Sequence, residues 1–119
     1  MAEANIHSGG CHCGAVRFEA AVDLSHVLQC NCSICMKRGA LWSFVQGPQV
    51  KFLRGENVVK DYQFGQKKLH HLFCPTCGVG SFSRGTAPDG RDTVAVNVRC
   101  LDDVDVAALT PQPYDGKST

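Results

Sequence analysis

Apolar and polar residues alternate along several stretches of the chain with the period of two that is typical of half-buried β-strands. In residues 16–22, every second side chain from Val16 to Val22 is apolar, and the intervening positions include Arg17 and Glu19. Residues 94–99 repeat the pattern with three valines, after the turn residues 88–90. Shorter apolar or alternating runs predict further strands at 41–45, 50–53, 58–64 and 69–73. The sequence therefore predicts a mainly β protein.

Helical patterns are confined to two short stretches, 33–38 and 103–109, each short enough to be a single turn or a 3₁₀ piece. The proline-containing residues 110–116 are expected to be irregular and exposed. No solenoid-type repeat or low-complexity linker interrupts the sequence. We expect one small antiparallel β domain over residues 1–119, with a core of about 7–105 and an irregular C-terminal tail at 106–119.

Composition and net charge limit the classes of partner that the chain is expected to bind. The 119 residues are 44% hydrophobic and 19% charged, as in a compact globular domain, and their net charge is +1 without a basic arm. Nucleic acid is therefore not the expected partner. No stretch approaches the roughly 20 apolar residues that a membrane span needs. Residues 1–6 lack the basic and apolar regions of a secretory signal, so we expect the reducing cytosol. An exposed sheet edge would permit a homodimer.

Eight cysteines are the main chemical feature, and their grouping favours metal binding over disulfides in a reducing compartment. Cys11 and Cys13, followed by Gly14, resemble a zinc knuckle, and so do Cys74 and Cys77, followed by Gly78. Together the two pairs supply four thiolates, which close a tetrahedron. The spacing predicts a structural zinc that joins segments more than sixty positions apart.

The three remaining clustered cysteines, Cys30, Cys32 and Cys35, are one ligand short of a closed zinc site. Three protein ligands with an open fourth position are typical of catalytic zinc. One alternative pairs a cysteine of this triplet with a knuckle, and another is an iron–sulfur cluster with an outside ligand. A zinc with three thiolates is electron-rich, so it suits the capture of another thiol better than the activation of water. Lys37 and Arg38 follow directly and could meet a ligand carboxylate.

Other candidate residues have a structural interpretation that competes with the functional one. Any of five histidines could supply a fourth ligand, although a lone histidine is more often a surface or hydrogen-bonded residue. These are His7, His12, His26, His70 and His71. Cys100 shares the apolar pattern of the 94–98 valines, which favours a buried, chemically inert thiol. Trp42, Phe44 and Phe82 are expected in the core, with Trp42 or Phe44 as a pocket wall in the alternative.

Four segments together resemble one known family over roughly residues 7–105. They are Gly9 to Phe18, with its Cys-His-Cys-Gly turn; Cys30 to Cys35; Phe73 to Gly78; and Asn97 to Asp102. In the order and spacing of the cysteines the chain is similar to the glutathione-dependent formaldehyde-activating enzyme (GFA) family, also called the centromere protein V (CENP-V) domain family.

That resemblance implies an Mss4-like β fold with two zinc ions. A structural ion would be held by Cys11, Cys13, Cys74 and Cys77, and a catalytic ion by Cys30, Cys32 and Cys35. The implied activity is that of an S-(hydroxymethyl)glutathione synthase, a carbon–sulfur lyase acting in reverse, with glutathione and formaldehyde as partners. Lys37, Arg38 and Arg99 would then bind the carboxylates of glutathione. The alternative is a non-catalytic zinc-binding module for protein interactions.

Overall fold

A computed structural model describes residues 5–65 and 69–115, which form ten strands and one short helix. The strands are β1 (Asn5–Gly10), β2 (Arg17–Val22), β3 (Leu28–Cys30), β4 (Trp42–Gln46), β5 (Val50–Arg54), β6 (Lys60–Tyr62), β7 (Leu69–Phe73), β8 (Phe82–Thr86), β9 (Asp92–Asn97) and β10 (Gln112–Tyr114). The helix, α1, spans Ser33–Arg38. Across this part of the chain, no helix has the length and apolar character needed to cross a bilayer. The predicted mainly β class is confirmed.

The strands form two sheets. The smaller has the order β1-β2-β5 and is antiparallel throughout. The larger has the order β10-β3-β4-β9-β8-β7-β6. Its neighbours are antiparallel except β10, which runs parallel to β3. Strands distant in sequence therefore meet at the centre of the larger sheet.

The core lies between the two sheets and follows from the alternation in the sequence. Phe18 and Val22 of β2 are almost fully buried, as are Val94 and Val96 of β9. Phe18 contacts Phe82 of β8 edge-on, with ring centroids 6.2 Å apart. Because successive side chains of a strand point to opposite faces, the residues between the buried valines lie on the far face of the larger sheet. That far face carries the candidate site.

Three strands, β1, β3 and β8, have no clear sequence pattern, and two predicted strands have different bounds, one being shorter and the other shifted to Asp92–Asn97. The run at 58–64 is a strand only over Lys60–Tyr62. The strand at 94–99 ends at Asn97, whose side chain accepts a hydrogen bond from the backbone N–H of Arg99 and starts a 3₁₀ turn, Val98–Cys100. A side-chain cap thus overrides the valine alternation.

The C-terminal segment differs from the expected irregular tail. Only Val106–Ala108 of the predicted 103–109 helix is helical, as one 3₁₀ turn capped by Asp105. Gln112–Tyr114 forms β10 and pairs with β3. Pairing with a distant strand supplies hydrogen bonds that local sequence does not reveal. Residues 1–4, 66–68 and 116–119, including both ends of the expected 1–119 domain, lie outside the described residues.

Candidate metal centres and the adjoining cavity

The first group of thiols joins the ends of two strands. Cys11 and Cys13 follow β1, and Cys74 and Cys77 follow β7. The Sγ atoms of Cys11 and Cys13 are 3.7 Å apart, and those of Cys13 and Cys74 are 3.6 Å apart. A tetrahedral zinc with Zn–S bonds of about 2.3 Å requires sulfurs about 3.8 Å apart. These distances fit four ligands of one ion and are far too long for disulfides, which need about 2.05 Å.

Backbone N–H groups hold these sulfurs in place. The N–H of Val16 donates to Cys11 Sγ at 3.3 Å, and the N–H of Thr76 donates to Cys74 Sγ at 3.4 Å. Gly14 and Gly78 have φ angles of 84° and 80°, which a residue without Cβ adopts without strain and which let the chain turn behind the sulfurs.

The pKa values of the four-cysteine group indicate that its thiolates need a cation nearby. The backbone N–H groups of Cys13 and Val79 lower the pKa of Cys77 to about 6. For Cys13, the N–H of Ala15 favours the thiolate, but desolvation and the neighbouring sulfurs prevail and raise its pKa to about 11. Four adjacent thiols cannot all ionise unless a positive charge compensates them. The group is therefore suited to a metal ion.

The second group, Cys30, Cys32 and Cys35, is local in sequence. Cys30 ends β3 and Cys32 occupies the N-cap position of α1, so one turn of backbone brings the three sulfurs within 4.8 Å of one another. The N–H of Cys32 donates to Cys30 Sγ at 3.4 Å. Trp42 Nε1–H donates to Cys35 Sγ at 3.2 Å, which fixes the most buried thiol of the three.

The start of α1 makes these thiols unequal. Burial opposes ionisation of Cys32, but backbone N–H groups of Cys35 and Ile34 outweigh it and lower the pKa of Cys32. Burial raises the pKa of Cys35 to about 12. Cys32 is thus the thiol of the triplet best prepared to bind a metal ion as a thiolate. The other two thiols would lose their protons when the metal binds.

No fourth protein ligand completes the triplet within residues 5–65 and 69–115, since no histidine or carboxylate joins either group of sulfurs there. Three of the five candidate histidines pair with carboxylates instead: His7 with Asp103, His26 with Asp23 and His70 with Asp61. His12 is exposed. His71 alone lines the cavity beside the triplet.

A cavity of about 470 Å³ opens on the far face of the larger sheet and has the triplet in its wall. Its other walls are mainly apolar, formed by Leu28, Trp42, Phe44 and Leu69. Both the predicted core position and the pocket-wall alternative hold for Trp42, which is 5% exposed. Phe44 is 56% exposed and not in the core, because it points from β4 into the cavity. Phe82 is fully buried, as expected.

The three cations expected to bind carboxylates lie apart from one another. Lys37 lines a smaller groove beside α1, with Tyr62 and Phe64. The Arg38 guanidinium turns inward, and its Nη1 is buried with no hydrogen-bond partner in the described part of the chain. A Cβ at Gly80 would lie only 2.8 Å from that nitrogen, so the absence of a side chain at this position makes room for Arg38. Arg99 is exposed on the 3₁₀ turn after β9. None of the three cations is among the residues that line the larger cavity.

Cys100 belongs to neither group of sulfurs. It lies on the turn after β9 and is half-buried, not on the buried face of the strand as expected. Burial raises the pKa of its thiol to about 11, so the thiol is neutral at physiological pH. This agrees with a chemically inert role.

Sequence patterns did not find three residues of the cavity wall. Ser83 lies on β8, a strand with a single large apolar residue, and Tyr114 lies on β10. For His71 the sequence indicates only a possible metal ligand. The signal available in the sequence was the spacing of His71 from Leu69, two positions apart on one strand face, which becomes informative only once β7 is placed beside the triplet.

Fold and site define a small, mainly β protein with two groups of thiols, one of four and one of three, each able to hold a metal ion. A family model described as "Glutathione-dependent formaldehyde-activating enzyme" matches residues 6–114, and the chain belongs to that family. The resemblance inferred from the cysteine pattern is confirmed. A crystal structure of a Rhodobacter sphaeroides protein is 31% identical and superposes with a TM-score of 0.78, covering 90% of this chain and 98% of that one.

Proposed function

We propose that the protein is a zinc enzyme that joins glutathione and formaldehyde to form S-(hydroxymethyl)glutathione, a reaction of the carbon–sulfur lyase class. One observation carries the proposal. The four-cysteine group is complete, whereas the triplet of Cys30, Cys32 and Cys35 has no fourth protein ligand among the described residues and faces a cavity. A structural role needs a closed site, while an open position beside a cavity suits a ligand that enters and leaves.

Zinc is the metal that the donor sets favour. Four sulfurs about as far apart as a ZnS₄ tetrahedron requires would hold the structural ion, and the triplet would hold the catalytic one. A zinc ion bound by three thiolates would favour the thiolate form of an incoming thiol. Eight cysteines without a disulfide suit the reducing cytosol, which we propose as the location.

The reaction itself is an addition with no oxidant or reductant. The glutathione sulfur attacks the carbonyl carbon of formaldehyde, a carbon–sulfur bond forms, the carbon–oxygen π bond breaks and the proton lost by the thiol ends on oxygen. The chain's contribution is to bind and orient. Leu28, Trp42 and Phe44 would exclude water around the reacting atoms, which strengthens polar contacts there.

Among the cations expected to bind glutathione, Lys37 has the best structural support. Its exposed ammonium lines the groove beside α1, where it could attract a carboxylate from solvent. For Arg38 and Arg99 the proposed contact has weaker support, since one side chain is directed inward against Gly80 and the other lies on the turn after β9. We therefore assign carboxylate binding first to Lys37.

Exchange NMR tests the proposed activity, because it measures the interconversion of free glutathione and its formaldehyde adduct at equilibrium. The zinc-loaded protein should raise the exchange rate in proportion to its concentration. The Cys32→Ser variant should lose this effect, and Cys100→Ser, which alters the thiol outside both groups, should keep it. An exchange rate equal to that without protein, with both sites loaded, would contradict the proposal and favour the zinc-binding interaction module.

A further inference from the structure

Two polar side chains lie side by side on the floor of the cavity. In the register of the larger sheet, His71 of β7 is paired with Ser83 of β8, and Ser83 with Ala95 of β9. Phe44 of β4 continues the row beyond Ala95. Residues paired across neighbouring strands share a face, and all four line the cavity that contains the triplet. The row therefore has a polar half and an apolar half.

Ser83 is buried without a hydrogen-bond partner. The residue is only 7% exposed, and its Oγ finds no partner among residues 5–65 and 69–115. A buried hydroxyl that makes no hydrogen bond destabilises the folded state, and an alanine such as its neighbour Ala95 would fill the position without that cost. The hydroxyl needs a partner that the described residues do not supply.

His71 offers complementary polar atoms next to this hydroxyl. It is 7% exposed, and its ring stacks on Phe64 with a centroid distance of 5.3 Å and an interplanar angle of 23°, which fixes the ring plane. Burial and then the charge of Arg38 lower its pKa, so the ring is neutral at physiological pH. A neutral imidazole has one N–H donor and one acceptor nitrogen.

We propose that Ser83 and His71 form an oxygen-binding subsite, which receives the hydroxyl group of a thiol–aldehyde adduct whose sulfur lies at Cys30, Cys32 and Cys35. This inference rests on the proposed function, since it assumes that a thiol occupies the triplet. A hydroxyl group both donates and accepts, as an adduct of the S–CH₂–OH type requires. Ser83 Oγ–H donates a hydrogen bond to the ligand oxygen, and the ligand O–H donates one to the acceptor nitrogen of His71.

The rest of the cavity explains why this subsite would determine specificity. Leu28, Trp42, Phe44 and Leu69 provide no polar side-chain atom except the indole N–H, which is donated to Cys35. Arg84 also borders the cavity, but its guanidinium pairs with Glu56 at 2.9 Å and Asp92 at 3.4 Å. Thr86, Thr93 and Tyr114 also place hydroxyl-bearing side chains along the cavity, but Thr86 and Tyr114 are exposed and Thr93 is half-buried. A ligand oxygen therefore gains most at the buried Ser83–His71 pair.

Matched thiols test the subsite directly. Protein loaded with Co²⁺ reports thiol binding through the sulfur-to-cobalt charge-transfer band, so dissociation constants can be measured for ethanethiol against 2-mercaptoethanol and for propanethiol against 3-mercaptopropanol. In wild type, at least one hydroxythiol should bind about tenfold more tightly than its alkyl partner, the effect of one buried hydrogen bond. Ser83→Ala and His71→Phe should abolish this preference while the alkanethiols still bind. Ser43→Ala should retain it, because Ser43 is an equally buried serine that points to the opposite face of β4.

Stability provides an independent readout. Removal of an unpartnered hydroxyl should make the melting temperature of unliganded Ser83→Ala higher than that of wild type. If the Ser83 hydroxyl instead made a structural hydrogen bond, the substitution would lower the melting temperature. Equal binding of the hydroxythiols and alkanethiols in wild type would overturn the subsite and leave the proposed function standing. If no thiol changes the cobalt spectrum, both the subsite and the proposed function are wrong.

Discussion

Removing ligands from the four-cysteine site should destabilise the domain more than removing ligands from the three-cysteine site. Cys13 and Cys74 are 61 positions apart, and their sulfurs meet at 3.6 Å. By the loop-entropy relation for cross-links, closing a loop of this length stabilises the fold by about 4 kcal/mol at 25 °C. Cys30 and Cys35 are only five positions apart, so the same logarithmic dependence makes the triplet about 2 kcal/mol less stabilising.

Urea unfolding of zinc-loaded variants measures this difference. Cys74→Ser combined with Cys77→Ser severs one side of the long-range link, and Cys30→Ser combined with Cys32→Ser removes two ligands from the local site. The first pair of changes should lower the free energy of unfolding by about 4 kcal/mol and the second by about 2 kcal/mol, a large difference for a domain whose whole stability is about 6 to 18 kcal/mol. Equal losses from both double variants would refute the division into a structural and an open site.

Three further predictions concern the surroundings of the open site. Trp42→Phe removes the N–H donated to Cys35 and should weaken metal binding at the triplet by about 10- to 100-fold in chelator competition, with the four-cysteine site unchanged. Arg38→Gln should raise the pKa of His71 in an NMR titration, since burial and then the charge of Arg38 lower it, whereas Lys37→Gln should not. The pKa of His71 is lower in the folded protein than in the unfolded chain, so the unfolded chain binds the proton at higher pH. The free energy of unfolding should therefore fall as the pH drops below 6.5, and it should fall less in Arg38→Gln. Deleting β10 should expose β3 and speed hydrogen exchange of its amides.

Three results would contradict these expectations. An unchanged triplet affinity in Trp42→Phe would mean that the indole N–H does not support the thiolate. A His71 pKa that moves equally in Arg38→Gln and Lys37→Gln would mean that net charge, not the inward position of Arg38, controls it. Unchanged exchange in β3 after truncation would show that β10 adds no protection.

The sequence was most informative where the pattern is local. Alternation placed Phe18 and Val22 in the core, and spacing alone divided seven cysteines into the groups of four and three that the structure brings together. The alternation and the cysteine spacing each depend on a few neighbouring residues, so both can be recognised without knowledge of the tertiary structure. Helix α1 was also predicted with its observed bounds.

What the sequence could not predict depends on strand pairing. Ser83 and His71 are neighbours only because β7 and β8 pair in one particular register, and Tyr114 lines the cavity only because β10 joins β3. Arg38 was expected to meet a ligand, but proximity in sequence does not fix the direction of a long side chain, which here turns against Gly80. Such positions are set by contacts across the sheet.

A crystal structure of the zinc-loaded protein soaked with glutathione, with the metal located by anomalous scattering at the zinc edge, tests the central claim most directly. We predict two ions, one enclosed by Cys11, Cys13, Cys74 and Cys77 and unchanged by the soak, the other bound by the three sulfurs of the triplet and the sulfur of glutathione. A fourth protein side chain on the second ion, or a disulfide among Cys30, Cys32 and Cys35, would contradict the account.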